Sequence, residues 1–195
     1  MTELKNLADR TALVLVDLQQ GILARETARP SGEVLARGIR LAGAFRARGL
    51  PVVLVKVAFH PDGGDLPVDD TDARNFPPVA PPPEFSVLPA ELTGGPGTEN
   101  DIVVTKRHWG AFTGTELDLQ LRRRGVDRIV LAGISTSIGV ESTARSAWEL
   151  GYRLVFAEDA TTDLDAASHA HTFTKIFPRI GRVAATDAIV DALGA

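Results

Sequence analysis

The sequence predicts an α/β fold in which parallel strands are joined by crossover helices, and three observations carry that expectation. Short apolar runs recur along the chain, among them Ala12-Leu13-Val14-Leu15-Val16, Ile102-Val103-Val104-Thr105 and Ile129-Val130-Leu131-Ala132-Gly133. Between them lie longer stretches with apolar residues at i, i+3 or i, i+4, the spacing of one helix face. Strand-sized runs alternating with helix-sized ones are the pattern of a parallel sheet with crossover helices. At 195 residues, 44% of them hydrophobic, the chain is long enough to bury one substantial core, and a single domain over residues 1–195 is expected.

Taken in order, the first strand spans about 12–17 and ends on a charge, Asp17. Val34, Ala42 and Phe45 mark the buried face of a helix at about 31–48, and a second strand follows near 51–58. Roughly residues 60–99 then hold Pro67, Pro77, Pro78, Pro81, Pro82, Pro83, Pro89 and Pro96 among glycines and acids, so neither helix nor central strand is expected there. A loop of that length in a compact domain is usually a lid, a binding loop or a linker, and this one is expected to cover the mouth of a site or to meet a neighbouring subunit. The third strand, about 101–105, runs into Lys106. Leu117 and Leu121 place a helix at 115–124, opened by Thr115 or Gly114 and closed by Gly125. The fourth strand, 127–133, enters the turn Ile134-Ser135-Thr136-Ser137-Ile138-Gly139 and a helix at 138–150 that Gly151 closes. A strand at 153–157, a helix at 166–176, a strand at 182–185 and a helix at 187–193, started by Thr186-Asp187, complete a six-stranded sheet.

Composition removes several function classes. A formal charge of −4 disfavours a polyanionic partner, and Arg122-Arg123-Arg124 reads as the solvated end of a helix, so nucleic acid is not expected. No run of eighteen apolar residues exists, and Met1-Thr2-Glu3-Leu4-Lys5 lacks the apolar core of a signal peptide; neither membrane spanning nor export is expected, and the cytoplasm is the default location. The chain has no cysteine, which excludes a disulfide framework, a cysteine-ligated metal and a thiol nucleophile.

What remains is a constellation at strand ends. In open parallel sheets ligands bind outside the carboxyl ends of the strands, where Asp17, Lys106 and the turn 134–139 all fall. Taken singly, Asp17 also reads as a helix cap or a loop ligand and Lys106 as an ion pair; together they mark one crevice with opposite charges. Gly94-Gly95-Pro96-Gly97-Thr98 lacks the Lys-Ser/Thr of a phosphate loop, and no serine sits in a Gly-x-Ser-x-Gly elbow. On a helix, His169 and His171 point apart, so no metal site is expected of them.

Leu15-Val16-Asp17-Leu18-Gln19, Lys106 followed by Ala111-Phe112 and Thr115-Glu116-Leu117, and Gly133-Ile134-Ser135-Thr136 with Ser137-Ile138-Gly139-Val140-Glu141-Ser142-Thr143-Ala144 together resemble the isochorismatase-like hydrolase superfamily over nearly the whole chain. The resemblance implies a three-layer sandwich, a homodimer or larger homo-oligomer, and a cis peptide bond between Ile134 and Ser135. It implies an Asp, Lys, Cys triad in most members, with Gly139 at the cysteine position here; the true isochorismatases also lack the thiol. An Asp-x-His metal pair of nicotinamidase-type relatives matches Ala58-Phe59-His60, where one ligand is missing.

On this reading the catalytic positions are Asp17, Lys106 and Gly139. The substrate-binding positions are Gln19, Trp109, Phe112, Ser135, Thr136, Ser137 and Ile138, with backbone N–H groups from Ser137 to Val140 open to a carboxylate or oxyanion. The expected partner is a small-molecule substrate, with no cofactor and no metal. The expected activity is hydrolysis without a thiol, as vinyl-ether hydrolysis of an isochorismate-like anion with Asp17 as general acid. Amide or ester hydrolysis by serine or water, and a non-catalytic binding or assembly role, stand as alternatives.

Overall fold

A computed structural model of the chain describes residues 4, 7–68, 70–73 and 79–194. β1 (Thr11–Val16), β2 (Val52–Val57), β3 (Ile102–Lys106), β4 (Arg128–Ile134), β5 (Arg153–Thr162) and β6 (Arg182–Ala184) form one parallel sheet in the order β3-β2-β1-β4-β5-β6. All six residues of β1 are buried, as a central parallel strand covered on both faces requires. Side chains alternate across the sheet: Ala12, Val14 and Val16 enter one core layer, Leu13 and Leu15 the other.

The first layer is closed by α4 (Leu117–Arg123), α5 (Glu141–Glu149) and α7 (Phe177–Ile180), which contribute Leu117, Leu121, Ala144, Ala147 and Phe177. Phe177 stacks on Phe156 of β5 with ring centroids 3.8 Å apart. The second layer is closed by α2 (Ser31–Ala47) and α8 (Thr186–Gly194) through Val34, Leu41, Phe45, Ile189 and Leu193. The result is the three-layer α/β sandwich. The chain winds outward from β1 to β3 and then returns to β4 on the other side of β1, so the order reverses between β1 and β4 and opens a crevice at their carboxyl ends.

Four local features differ from the sequence reading. The stretch expected to be plain loop contains short helical turns at Pro83–Ser86, Ala90–Thr93 (α3) and Thr98–Asn100. The first has proline in its opening turn and α3 has Pro89 at its N-cap, where a missing N–H is harmless. Pro77 and Pro78 lie outside the described residues. Next, β5 runs on to Thr162, past a register shift between Leu131 and Gly133 of β4. Finally, the helices expected at 138–150 and 166–176 each contain a π-helical turn, Thr136–Val140 before α5 and Thr172–Ile176 after α6 (Ala166–His171). Apolar spacing alone does not distinguish a π turn from an α turn. A further one-turn helix, α1 (Gln20–Leu23), follows β1.

Candidate active site

Asp17 is the first residue beyond β1 and has φ 54°, a left-handed conformation that aspartate and asparagine tolerate better than most side chains. Its N–H donates to Val55 O of β2 at 2.9 Å, which fixes the carboxyl at the strand end. Lys106 closes β3, which lies beyond β2, so its long stem crosses β2 to reach the same point. Lys106 Nζ lies 2.7 Å from Asp17 Oδ2, the two side chains being 3% and 8% exposed, and also donates to His108 O at 3.2 Å. Asp17 Oδ1 is buried and has no hydrogen bond of good geometry: the neighbouring Val57 N–H, which lowers the proton affinity of the carboxyl slightly, is given to Gln19 Oε1 at 2.8 Å. Burial raises the proton affinity of this carboxyl above the ordinary aspartate value, and the Lys106 cation offsets that rise only in part.

The third component is the turn after β4. The Ile134–Ser135 peptide is cis, as the resemblance implies, and the chain then passes through the π turn into α5. A Cβ at Gly139 would stand 3.3 Å from Asp17 Oδ2, 3.3 Å from Val16 Cγ1 and 3.5 Å from Trp109 O. Glycine therefore lets the main chain lie directly against the carboxyl, and any side chain would need its neighbours to shift by a few tenths of an ångström. Contacts from behind hold the turn: Ser137 N donates to Asp163 Oδ2 at 2.6 Å, Thr136 Oγ1 and His169 Nδ1 are 2.7 Å apart, and Thr143 Oγ1 donates to Gly139 O at 2.7 Å. The same threonine oxygen accepts from Ala111 N at 3.0 Å, tying the segment after Lys106 to the turn.

These groups open into a cavity of about 680 Å³. Asp17, Lys106, Ser135, Ile138 and Gly139 form its chemical end, and Ile22, Val57, Phe59, Phe85, Trp109, Ile134 and Leu164 its apolar walls. Val79, Ala80, Pro81 and Pro82 complete one side, so the proline-rich stretch is a wall of the cavity, and Arg25 and His108 also line it. That wall is fastened where the turn Pro83–Ser86 meets the body: Gln20 N donates to Val87 O at 2.9 Å and Ser86 Oγ to Val57 O at 2.8 Å.

The Phe85 ring lies so close over Gly21 that a Cβ there would overlap it. In a helix, Gly→Ala ordinarily stabilises; here the clash dominates, and Gly21→Ala is expected to cost about 1–3 kcal/mol. Urea denaturation would read the loss, and a raised KM the displaced wall. A gain in stability would contradict the packing described.

Several expected positions lie elsewhere. Gln19 is fully buried outside the cavity: its amide donates to Val57 O and Phe85 O, each at 3.0 Å, and accepts from Val57 N at 2.8 Å. It anchors the wall and is not among the residues that line the cavity. Phe112 packs against the core, its ring 5.8 Å from that of Tyr152. Thr136 and Ser137 support the turn from behind and do not line the cavity. Of the amides expected to receive an anion, Ser137 N is taken by Asp163, and Ile138 N and Val140 N donate to Ser135 O at 3.3 and 3.1 Å, because the π turn folds back on that carbonyl.

Arg107 pairs with Asp65, and His60 lies 2.7 Å from Asp62 on the surface. His169 is engaged by Thr136 through Nδ1. Among the described residues no group of three or more His, Asp or Glu is placed to hold a metal ion, and no helix is long and apolar enough to cross a membrane. Sequence reasoning missed Arg25 and Phe85; the only local signals were a charge at the end of a short apolar stretch and an aromatic among prolines.

Residues 11–188 match the isochorismatase domain family. The chain is 48% identical over 187 residues to the uncharacterized isochorismatase family protein YecD of Escherichia coli O157:H7, covering 95% of this chain and 97% of that one. It is 31% identical over 177 residues to the ureidoacrylate amidohydrolase RutB of Methylorubrum extorquens (strain DSM 6343 / CIP 106787 / DM4), covering 79% of this chain and 70% of that protein. The structure of an isochorismatase family protein from Burkholderia thailandensis superposes with a TM-score of 0.88 at 44% identity, over 95% of this chain and 96% of the other. With the sheet order, the Asp17–Lys106 pair and the cis bond at the turn, these likenesses establish that the chain belongs to the isochorismatase family of the isochorismatase-like hydrolases.

Proposed function

We propose that this hydrolase cleaves the vinyl ether of a small isochorismate-like anion by acid catalysis, with Asp17 as proton donor and no covalent enzyme intermediate. The observation that carries the reading is the state of Asp17: a buried carboxyl with raised proton affinity and one unpartnered oxygen, at the end of an apolar cavity. The Asp17 proton passes to the terminal methylene carbon and the C=C electron pair forms the new C–H bond, leaving an oxocarbenium ion. Water adds to that ion and its proton returns to Asp17. The hemiketal collapses to a 2-keto acid and an alcohol, so the net change is addition of one water across the ether. Burial favours the acid form before transfer, and Lys106 stabilises the carboxylate that transfer leaves behind; the opposing influences on one group suit both halves of the cycle. Gly139 keeps the place beside the carboxyl clear for the reacting carbon.

Only the protonated form of Asp17 is active on this reading, so kcat/KM is expected to fall as pH rises through its elevated pKa. A specific relative favours a second reading: RutB is an amidohydrolase, and the same carboxyl in its ionised form is a candidate base for a water attacking an amide. That mechanism requires the opposite limb, activity rising with pH, so the profile on an enol ether and on a small amide separates the two. A serine mechanism has less support, since Ser135 lines the cavity but His169 bonds Thr136. A purely structural role for the pair leaves the orphaned Asp17 oxygen without a purpose. The partner on this proposal is a small molecule and the assembly a homodimer or larger, which light scattering of the purified protein measures.

A further inference from the structure

The charges around the cavity do not balance. Lys106 is committed to Asp17 at 2.7 Å and to His108 O at 3.2 Å, and the other permanent cation among the lining residues is Arg25, an exposed side chain. Among the described residues its side chain has no hydrogen bond or ion pair, whereas Arg107, at a neighbouring strand end, is taken by Asp65.

The backbone that carries Arg25 is held firmly. Its own N–H donates to Ile22 O at 3.1 Å, and Ala28 N donates to Asp163 O at 2.8 Å, the residue that also caps Ser137. Arg29 N donates to Thr162 Oγ1 at 2.9 Å, and Ser31 Oγ to Leu23 O at 2.7 Å. The remaining walls are apolar and include three flat rings, Phe59, Phe85 and Trp109. An unpartnered planar cation beside flat apolar walls matches one ligand class by charge and shape.

We infer that Arg25 is a specificity-determining residue that takes a carboxylate of the substrate, so the ligand class is a small organic carboxylate with a flat, largely apolar body. The inference rests on this cavity being the substrate site, as proposed above, but not on the bond that is cleaved there. Arg25 binds and orients; the proton chemistry stays with Asp17.

Binding of benzoate and of its neutral counterpart benzamide tests this without turnover. The chain has two tryptophans, so a Trp148→Phe background leaves Trp109, on the cavity wall, as the fluorescent reporter, with calorimetry in parallel. Benzoate is expected to bind roughly tenfold or more tighter than benzamide. Arg25→Ala is expected to abolish that preference by weakening benzoate alone, and Arg25→Lys to retain part of it. Equal binding of the two compounds, benzoate binding unaffected by Arg25→Ala, or no saturable binding of either by both methods would each overturn the inference. If charge discrimination survives but no enol ether is cleaved, the vinyl-ether reading fails alone. If cleavage depends on Asp17 but discrimination is absent, the Arg25 assignment fails alone.

Discussion

Asp17→Asn is expected to lower turnover by about 10²–10⁴-fold while leaving the fold in place. Asparagine is nearly the same size and accepts the φ of 54° at this position, so the strand end keeps its geometry. Its amide oxygen can still accept from Lys106, so the buried cation keeps a hydrogen bond. What the substitution removes is the transferable proton. Circular dichroism and the denaturation midpoint check the fold, and product formation by mass spectrometry checks the rate. Near-unchanged turnover in a folded variant would remove Asp17 from the mechanism.

Lys106→Ala is expected to be the more damaging change to stability, at about 3–5 kcal/mol, because it leaves a carboxyl in a dry site without its counter-charge. For a chain of this size that corresponds to a melting temperature lower by roughly 6–20 °C. With side chains only 3% and 8% exposed, little water is available to replace the lost partner. Combining Asp17→Asn with Lys106→Met removes both charges and fills the stem's volume, so the double variant is expected to recover part of the loss. A loss below about 1 kcal/mol for Lys106→Ala would be the value of a solvated surface pair and would contradict the burial described.

The chemical end of the site was legible in the sequence because its signals are local. Asp17 and Lys106 each close an apolar run, and a parallel sheet brings strand ends together whatever the connecting loops do. The unbroken apolar run 12–16 likewise marked a strand of a parallel sheet, and the structure covers it on both faces. The walls of the cavity were not legible, because their positions depend on contacts between distant segments. Phe85 reaches the site through the Gln19 amide, 66 residues away along the chain, and by lying over Gly21, neither of which has a periodic signature. The place of Gln19 was hidden for the same reason: nothing local to a polar residue two beyond Asp17 announces its three hydrogen bonds to main chain. The π turns at 136–140 and 172–176 engage amides that helical spacing alone leaves open.

The central claim is that a buried acid, working without a thiol, delivers a proton to carbon. Its most direct test is turnover of isochorismate in D₂O by the unaltered protein and by Asp17→Asn, with the keto-acid product analysed by mass spectrometry. The account expects rapid formation of pyruvate carrying one deuterium in its methyl group, and loss of that product in the variant. No cleavage of the enol ether by the unaltered protein, or equal cleavage by both proteins, would contradict it.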